Sequence, residues 1–208
     1  MKRISLSELL FLLFGLVLQV VTYCLTGDSL LSFLCGMSGV CSVVLCSQRK
    51  VSSFLFGFFQ VTTYMILAFR QRLYAEVAEN VFYFVTMLVG LIIWLKNYNR
   101  EESQVDARTL SGRLWMLTSS VFVVGTALTY WMLTKTNDSQ PFMDALSSVP
   151  AFIAQILMIT RYREQWIFWL VVDATTLILW VNVKDWCMVA QFAFWIVTCI
   201  YGYFKWSE

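Results

Sequence analysis

The chain has 208 residues, of which 59% belong to the AVILMFWYC set and only 13% are charged, against the ~25% charged of a typical soluble domain. A net charge of +2 without a basic face argues against nucleic-acid binding, and the lack of any His removes the commonest general base and metal ligand. Nine Trp and 17 Phe are more than a soluble core of this size needs.

The apolar residues fall in blocks of about 17–22, enough to cross a ~30 Å hydrocarbon layer at ~1.5 Å per residue. They run continuously rather than alternating, which points to helices and not to barrel strands. The expected fold is therefore an all-α membrane protein with eight transmembrane helices, at about 8–26, 29–47, 51–69, 75–95, 113–134, 142–160, 165–182 and 187–204. A lone apolar block at the start would read as a signal peptide, but this one is long and seven more follow. Polar connections lie at 27–28, 48–50, 70–72, 96–112, 135–141, 161–164 and 183–185. The long one, 96–112, is rich in Glu, Asp, Arg and Ser and reads as a solvated linker. Cys24, Cys35, Cys41, Cys46, Cys187 and Cys199 all lie within apolar blocks without a CxxC pair, so they read as small hydrophobes and not as metal or redox sites.

Orientation follows from the basic residues. One side carries Lys2, Arg3, Arg49, Lys50, Lys96, Arg100, Arg108, Arg113, Arg161, Arg163 and Lys205; the other has Arg70, Arg72, Lys135 and Lys184. Eleven against four places both termini in the cytoplasm. The Arg70/Arg72 pair runs against that rule.

The chain also repeats itself weakly. Residues 59–63 (FQVTT) align with 172–176 (VDATT) at an offset of 113, and Gly90…Trp94 align with Gly202…Trp206 at 112. Glu79 then pairs with Gln191, and Tyr83 with Trp195. This divides the chain into an added N-terminal span (1–28), a first three-helix repeat (29–95), a cytoplasmic linker (96–112), a linking span (113–134) and a second three-helix repeat (142–206). One linking span lets the second repeat enter in the same sense as the first. The repeats are then parallel, with a solute site expected at their interface near mid-membrane.

The polar residues within the spans are few and patterned. Trp166, Trp169 and Asp173 stand at i, i+3 and i+7 on one helical face, continued by Thr176 and Trp180. Two indoles with a hydrogen-bonding group one turn deeper suit a flat heteroaromatic ring, and a cationic ring gains a cation–π term. Trp166 alone also fits an interfacial belt. Asp173 does not, because a carboxylate mid-helix costs ~2.5–3.5 kcal/mol unless it faces a cavity or a partner. The matching face of the first repeat is Ser53, Phe56, Gln60 and Thr63, and Glu79, Asn80, Tyr83 and Met87 form another. Gln155 follows Pro150 by five residues, where a weakened backbone bond is expected to kink the helix. For Gln60 and Gln155, bonding between helices is an equal reading.

At these residues the chain resembles the PnuC-type nicotinamide riboside transporters, within the wider Pnu family of vitamin carriers. The resemblance rests on residues 50–64, 74–84, 144–158 and 164–173, and above all on a Trp-x-x-Trp-x-x-x-Asn pattern that falls on Trp166, Trp169 and position 173. It implies a 3+1+3 arrangement similar to the SWEET sugar carriers. It also implies import by facilitated diffusion with phosphorylation trapping the solute inside, no cofactor, a bacterial inner membrane, and a homo-oligomer, a trimer being one arrangement. The two Trp would stack on the substrate ring, and the polar residue would bond its amide or sugar. Two departures stand out: Asp173 replaces the family's Asn, and Pro150 stands where an aliphatic residue is usual. An ionised Asp only accepts hydrogen bonds, which suits a cationic ring, whether nicotinamide riboside or thiamine; a carrier of thiamine or of another vitamin or nucleoside is the alternative on the same scaffold. An intramembrane acid–base enzyme would need a second carboxylate beside Asp173, for which Glu79 is the one candidate partner. A purely structural subunit would use the polar faces as helix contacts alone.

Overall fold

Eight long apolar helices account for nearly the whole structure, a computed structural model that describes residues 6–135 and 141–207. They are α1 (Leu6–Thr26), α2 (Leu30–Ser47), α3 (Ser53–Arg70), α4 (Tyr74–Lys96), α5 (Gly112–Leu133), α6 (Pro141–Ile159), α7 (Gln165–Val183) and α8 (Trp186–Lys205). Each lies within about two residues of its expected span, because hydrocarbon thickness fixes helix length from outside. Lys2, Arg3 and the connection at 136–140 lie outside the described residues. Ser29, Ser111 and Asp185 cap α2, α5 and α8 by accepting from the backbone N–H three residues on. α6 runs through Pro150 as one helix.

The duplication is written into the turns. α2, α3, α6 and α7 are each followed closely by a left-handed residue, namely Arg49 (φ 57°), Arg72 (φ 60°), Arg161 (φ 69°) and Lys184 (φ 63°). Arg49 and Arg161 are 112 residues apart, as are Arg72 and Lys184. All four are basic, and a cation just past a helix C-terminus faces the negative end of its dipole. That gives Arg72 a local role where the charge-sidedness rule offered none.

Packing follows the same exchange. α3 lies between α2 and α4, and α7 between α6 and α8; the two triplets meet where α2 packs on α8 and α4 on α6. Swapping the repeats swaps those two contacts. Near their ends Trp94 and Trp206 meet with ring centroids 5.9 Å apart. Trp94 Nε1 donates to Met158 O (3.1 Å) and Trp206 Nε1 to Cys46 O (3.2 Å); each donor and each acceptor is offset from its counterpart by 112 residues. α1 lies against α2 and α8, whereas α5 runs along α6 and buries no residue of its own.

The 96–112 linker is not the solvated segment expected from its charge. It forms a short antiparallel pair, β1 (Tyr98–Asn99) with β2 (Gln104–Val105), and Gln104 and Val105 are buried. Val105 N donates to Arg49 O (2.9 Å), and Lys50 Nζ to Ser103 O (2.8 Å). Farther on, Arg108 N donates to Arg161 O and Arg163 N to Arg108 O, both at 2.8 Å. The linker therefore straps together the α2–α3 and α6–α7 turns, one from each repeat. Composition misled because the charged side chains point outward while the backbone and Val105 dock.

Candidate functional site

A cavity of about 140 Å³ lies between the triplets, lined by α2, α3 and α4 on one side and α6, α7 and α8 on the other. That room is similar to the ~150 Å³ that accepts a benzene ring in an engineered protein core. Toward the face opposite the linker it adjoins a wider vestibule of about 790 Å³ between the ends of α4, α6 and α7. Glu76, Glu79 and Thr176 line both spaces, so they mark the passage between them.

The second repeat supplies the aromatic wall. Trp166 is 3% exposed and packs edge-on to Trp206, with centroids 6.0 Å apart. Its indole fits only because position 202 is Gly: a Cβ there would come within 2.5 Å of the ring. Trp169, one turn on, is half-buried and meets Tyr83 of α4 edge-on at 5.7 Å. The two indoles are thus held by different neighbours, one from each repeat. Asp173, a further turn along α7 toward the vestibule, is 2% exposed; its Oδ2 accepts from Cys199 Sγ (3.2 Å).

The first repeat supplies polar groups on α3 and α4. Trp180 Nε1 donates to Tyr64 Oη (2.9 Å), and Tyr64 Oη donates to Glu76 Oε2 (2.8 Å), a relay crossing from α7 through α3 to α4. Tyr83 Oη donates to Glu79 Oε2 (3.4 Å), and Asn80 Nδ2 to Glu76 O (2.8 Å). Gln155 Nε2 donates to Thr86 Oγ1 (2.9 Å), so this amide ties α6 to α4 as well as lining the cavity.

Several buried polar atoms of residues lining this space have no hydrogen-bond partner among the described residues: both amide atoms of Gln165, Trp166 Nε1 and Asp173 Oδ1. Such atoms normally find a partner, since leaving one bare costs about 1–3 kcal/mol. The trio offers a donor, an acceptor and an amide that is both. Among the described residues no group of three His, Cys, Asp or Glu side chains is placed to hold a metal ion.

Of the residues singled out from sequence, the structure brings Gln60, Glu79, Asn80, Tyr83, Met87, Gln155, Trp166, Trp169, Asp173 and Thr176 to the cavity wall. Phe56 and Thr63 are not among its lining. Thr63 turns its hydroxyl back to Phe59 O and Gln60 O (2.9 Å each), a common choice for a helical Thr. Phe56 was placed by symmetry with Trp169, at an offset of 113, and here the repeats differ. Sequence reasoning missed Tyr64, Glu76, Gln165, Trp195 and Cys199. Trp195 was findable, as the repeat mate of Tyr83; Gln165 sits beside a charged loop and looks like an ordinary helix start.

The family model described as "Nicotinamide mononucleotide transporter" matches residues 29–208. The nicotinamide riboside transporter PnuC of Neisseria mucosa is 30% identical over 212 residues, covering 97% of this chain and 81% of its own length. Its namesake from Haemophilus influenzae is 29% identical over 204 residues, with 97% and 89% covered. The crystal structure of a vitamin B3 transporter PnuC matches the fold with a TM-score of 0.86 at 29% identity, over 100% of this chain and 93% of that one. These relatives are named as transporters, which points to a multi-pass membrane carrier and not an enzyme. The family match spans both triplets and the cavity between them, and the chain belongs to the nicotinamide mononucleotide transporter family, among carriers of the PnuC type.

Proposed function

We propose that the protein carries nicotinamide riboside inward across a bacterial cytoplasmic membrane by facilitated diffusion, and that phosphorylation inside the cell traps it. The observation that carries this reading is the set of unpartnered buried groups, Gln165, Trp166 Nε1 and Asp173 Oδ1, on an aromatic-walled cavity between two parallel repeats. A pyridinium ring needs the indole and phenol faces of Trp166, Trp169 and Tyr83. Its carboxamide and ribose hydroxyls need the donors and acceptors of Gln60, Asn80, Gln155 and Thr176 nearby, with Met87 as an adaptable wall and Glu79 at the mouth. The linker and both termini face the cytoplasm in this scheme, which turns the vestibule outward. The units that rock against each other are 29–95 and 142–206, and the working form is a homo-oligomer, for which a trimer is the first arrangement to check by mass.

Uptake into liposomes tests the reading. Labelled nicotinamide riboside should equilibrate without any ion gradient, and should accumulate beyond equilibrium only when a riboside kinase and ATP are enclosed. Accumulation driven by a sodium or proton gradient would refute facilitated diffusion. The departure at Asp173 keeps thiamine as the second reading; transport of thiamine with none of nicotinamide riboside would replace the first.

A further inference from the structure

Among the described residues, the cavity lining contains three carboxylates, Glu76, Glu79 and Asp173, and no Lys or Arg. Their protein partners there are neutral: the Tyr64 hydroxyl for Glu76, the Tyr83 hydroxyl for Glu79 and the Cys199 thiol for Asp173. Glu76 and Glu79 stand at the passage from the vestibule, and Asp173 lies on α7 between Thr176 of that passage and Trp169, about one turn from each. Asp173 is 2% exposed, yet Oδ1 has no hydrogen-bond partner. A buried acidic oxygen left bare beside two indole faces lacks a positive charge, and a neutral donor only partly replaces one. At a separation of about 4 Å, a charge pair in protein surroundings attracts roughly four times more strongly than in water, and the indoles add a cation–π attraction that a neutral ring does not feel.

We propose that Asp173 is a specificity-determining residue that reads the positive charge of the substrate's ring, making the carrier select an aromatic cation over an uncharged ring of the same shape. This rests on the reading of the cavity as a nicotinamide riboside site. It adds what that reading does not contain: at this position an Asn would recognise a polar group, whereas Asp173 recognises charge.

The 1,4-dihydro form of nicotinamide riboside is the probe, since it keeps the carboxamide and the ribose and loses the ring's charge; its aromaticity goes with the charge, so the change that Asp173→Asn makes in the ratio is what isolates the charge. Calorimetric titration of the purified full-length protein with both forms should show a preference for the cation of at least tenfold. Asp173→Asn should cut that preference at least fivefold, mainly by weakening the cation. Equal binding of both forms to the wild type, or an unchanged ratio in Asp173→Asn, would overturn the proposal. If Asp173→Asn does not fold, Cys199→Ala decides, because it removes the donor on Oδ2 and leaves the charge. A kept or raised preference supports the proposal, and a preference near unity overturns it. If the wild type binds neither riboside, the substrate reading has failed and the charge question passes to thiamine against its analogue with phenyl in place of thiazolium. A tenfold preference for thiamine supports the role of Asp173, whereas binding of no cation at all overturns both.

Discussion

Adding one methyl group at Gly202 should disturb the cavity wall from behind. An alanine Cβ there would lie 2.5 Å from Trp166 Cε2, 2.7 Å from Cζ2 and 2.8 Å from Cδ2, about 1 Å inside ordinary carbon–carbon contact. The indole has little room to retreat. It packs on Trp206 at 6.0 Å, and Trp206 is fixed by its bond to Cys46 O and by Trp94 at 5.9 Å. Overpacking of this kind costs about 1–3 kcal/mol, and the helix-forming gain of Ala over Gly returns at most about 1 kcal/mol. The net expectation is a loss of roughly 1 kcal/mol in thermal unfolding of the detergent-purified protein. Because the displaced group is Trp166, nicotinamide riboside binding should weaken in parallel by about tenfold, an effect that simple destabilisation does not require.

Two further variants sharpen the test. Gly112→Ala meets nothing within 4 Å and should leave stability and binding unchanged. Trp166→Phe removes the six-membered half of the indole that the new methyl strikes, so in the Gly202→Ala background it should cost less than the two single losses added together, with a coupling of about 0.5–3 kcal/mol. Wild-type stability and affinity in Gly202→Ala would refute the reasoning, since the indole would then have space that the packing denies it.

Trp169→Ala should weaken riboside binding by about tenfold or more, read by calorimetry, through loss of the ring face that Tyr83 holds in place. Trp94→Phe and Trp206→Phe should each lower thermal stability by about 1 kcal/mol, the worth of one indole hydrogen bond, and by similar amounts because the two bonds are repeat-related. Val105→Ala should cost about 1–2 kcal/mol in the same measurement, while Glu101→Ala on the exposed part of the linker stays within about 0.5 kcal/mol; equal effects would mean the linker is not docked. Burial pushes the Asp185 carboxyl above its ordinary value, against the opposing bonds from the Ser32 hydroxyl and Met188 N–H. Folding therefore favours its protonated form, so this group's contribution is full below its unfolded value near ~3.9 and is lost as pH rises through the higher folded value. Thermal unfolding against pH should flatten in that window for Asp185→Asn.

The spans and the polar faces were readable because each rests on one strong constraint. Bilayer thickness sets the helix length, and the expense of burying Asp173 or Gln155 without purpose marks the face that is not lipid. The linker was not readable, because its charge reports on the side chains that face water, whereas its docking depends on backbone bonds to Arg49 and Arg161 and on one buried Val105. Glu76 was not readable for a related reason: it lies in the first turn of α4, where a Glu looks like an interfacial end, and only the Tyr64 hydroxyl brought over from α3 shows that it faces inward. Cys199 looked like a small hydrophobe and packs as one, but its thiol also donates to Asp173, a contact between α8 and α7 that no spacing within one helix reveals.

Where the repeats agree and where they differ separates scaffold from site. At the linker-side ends the copies match in detail: Trp94 and Trp206 make the same indole bond to the partner triplet, and Arg49 and Arg161 make the same left-handed turn. Along the cavity, sequence partners have become different chemistry. Gln60 answers Asp173, Tyr83 answers Trp195, and Glu79 answers Gln191, which is fully buried and turned toward Gly39 away from the cavity lining. A parallel duplication left symmetric would offer two equivalent half-sites to a solute that has no symmetry of its own. Divergence along the lining resolves that mismatch, giving the second triplet the indoles and the bare carboxylate, and the first triplet the amides and the acids at the mouth. On the proposed transport reading, the matched ends are the hinge pair and the unmatched middle holds one solute in one orientation.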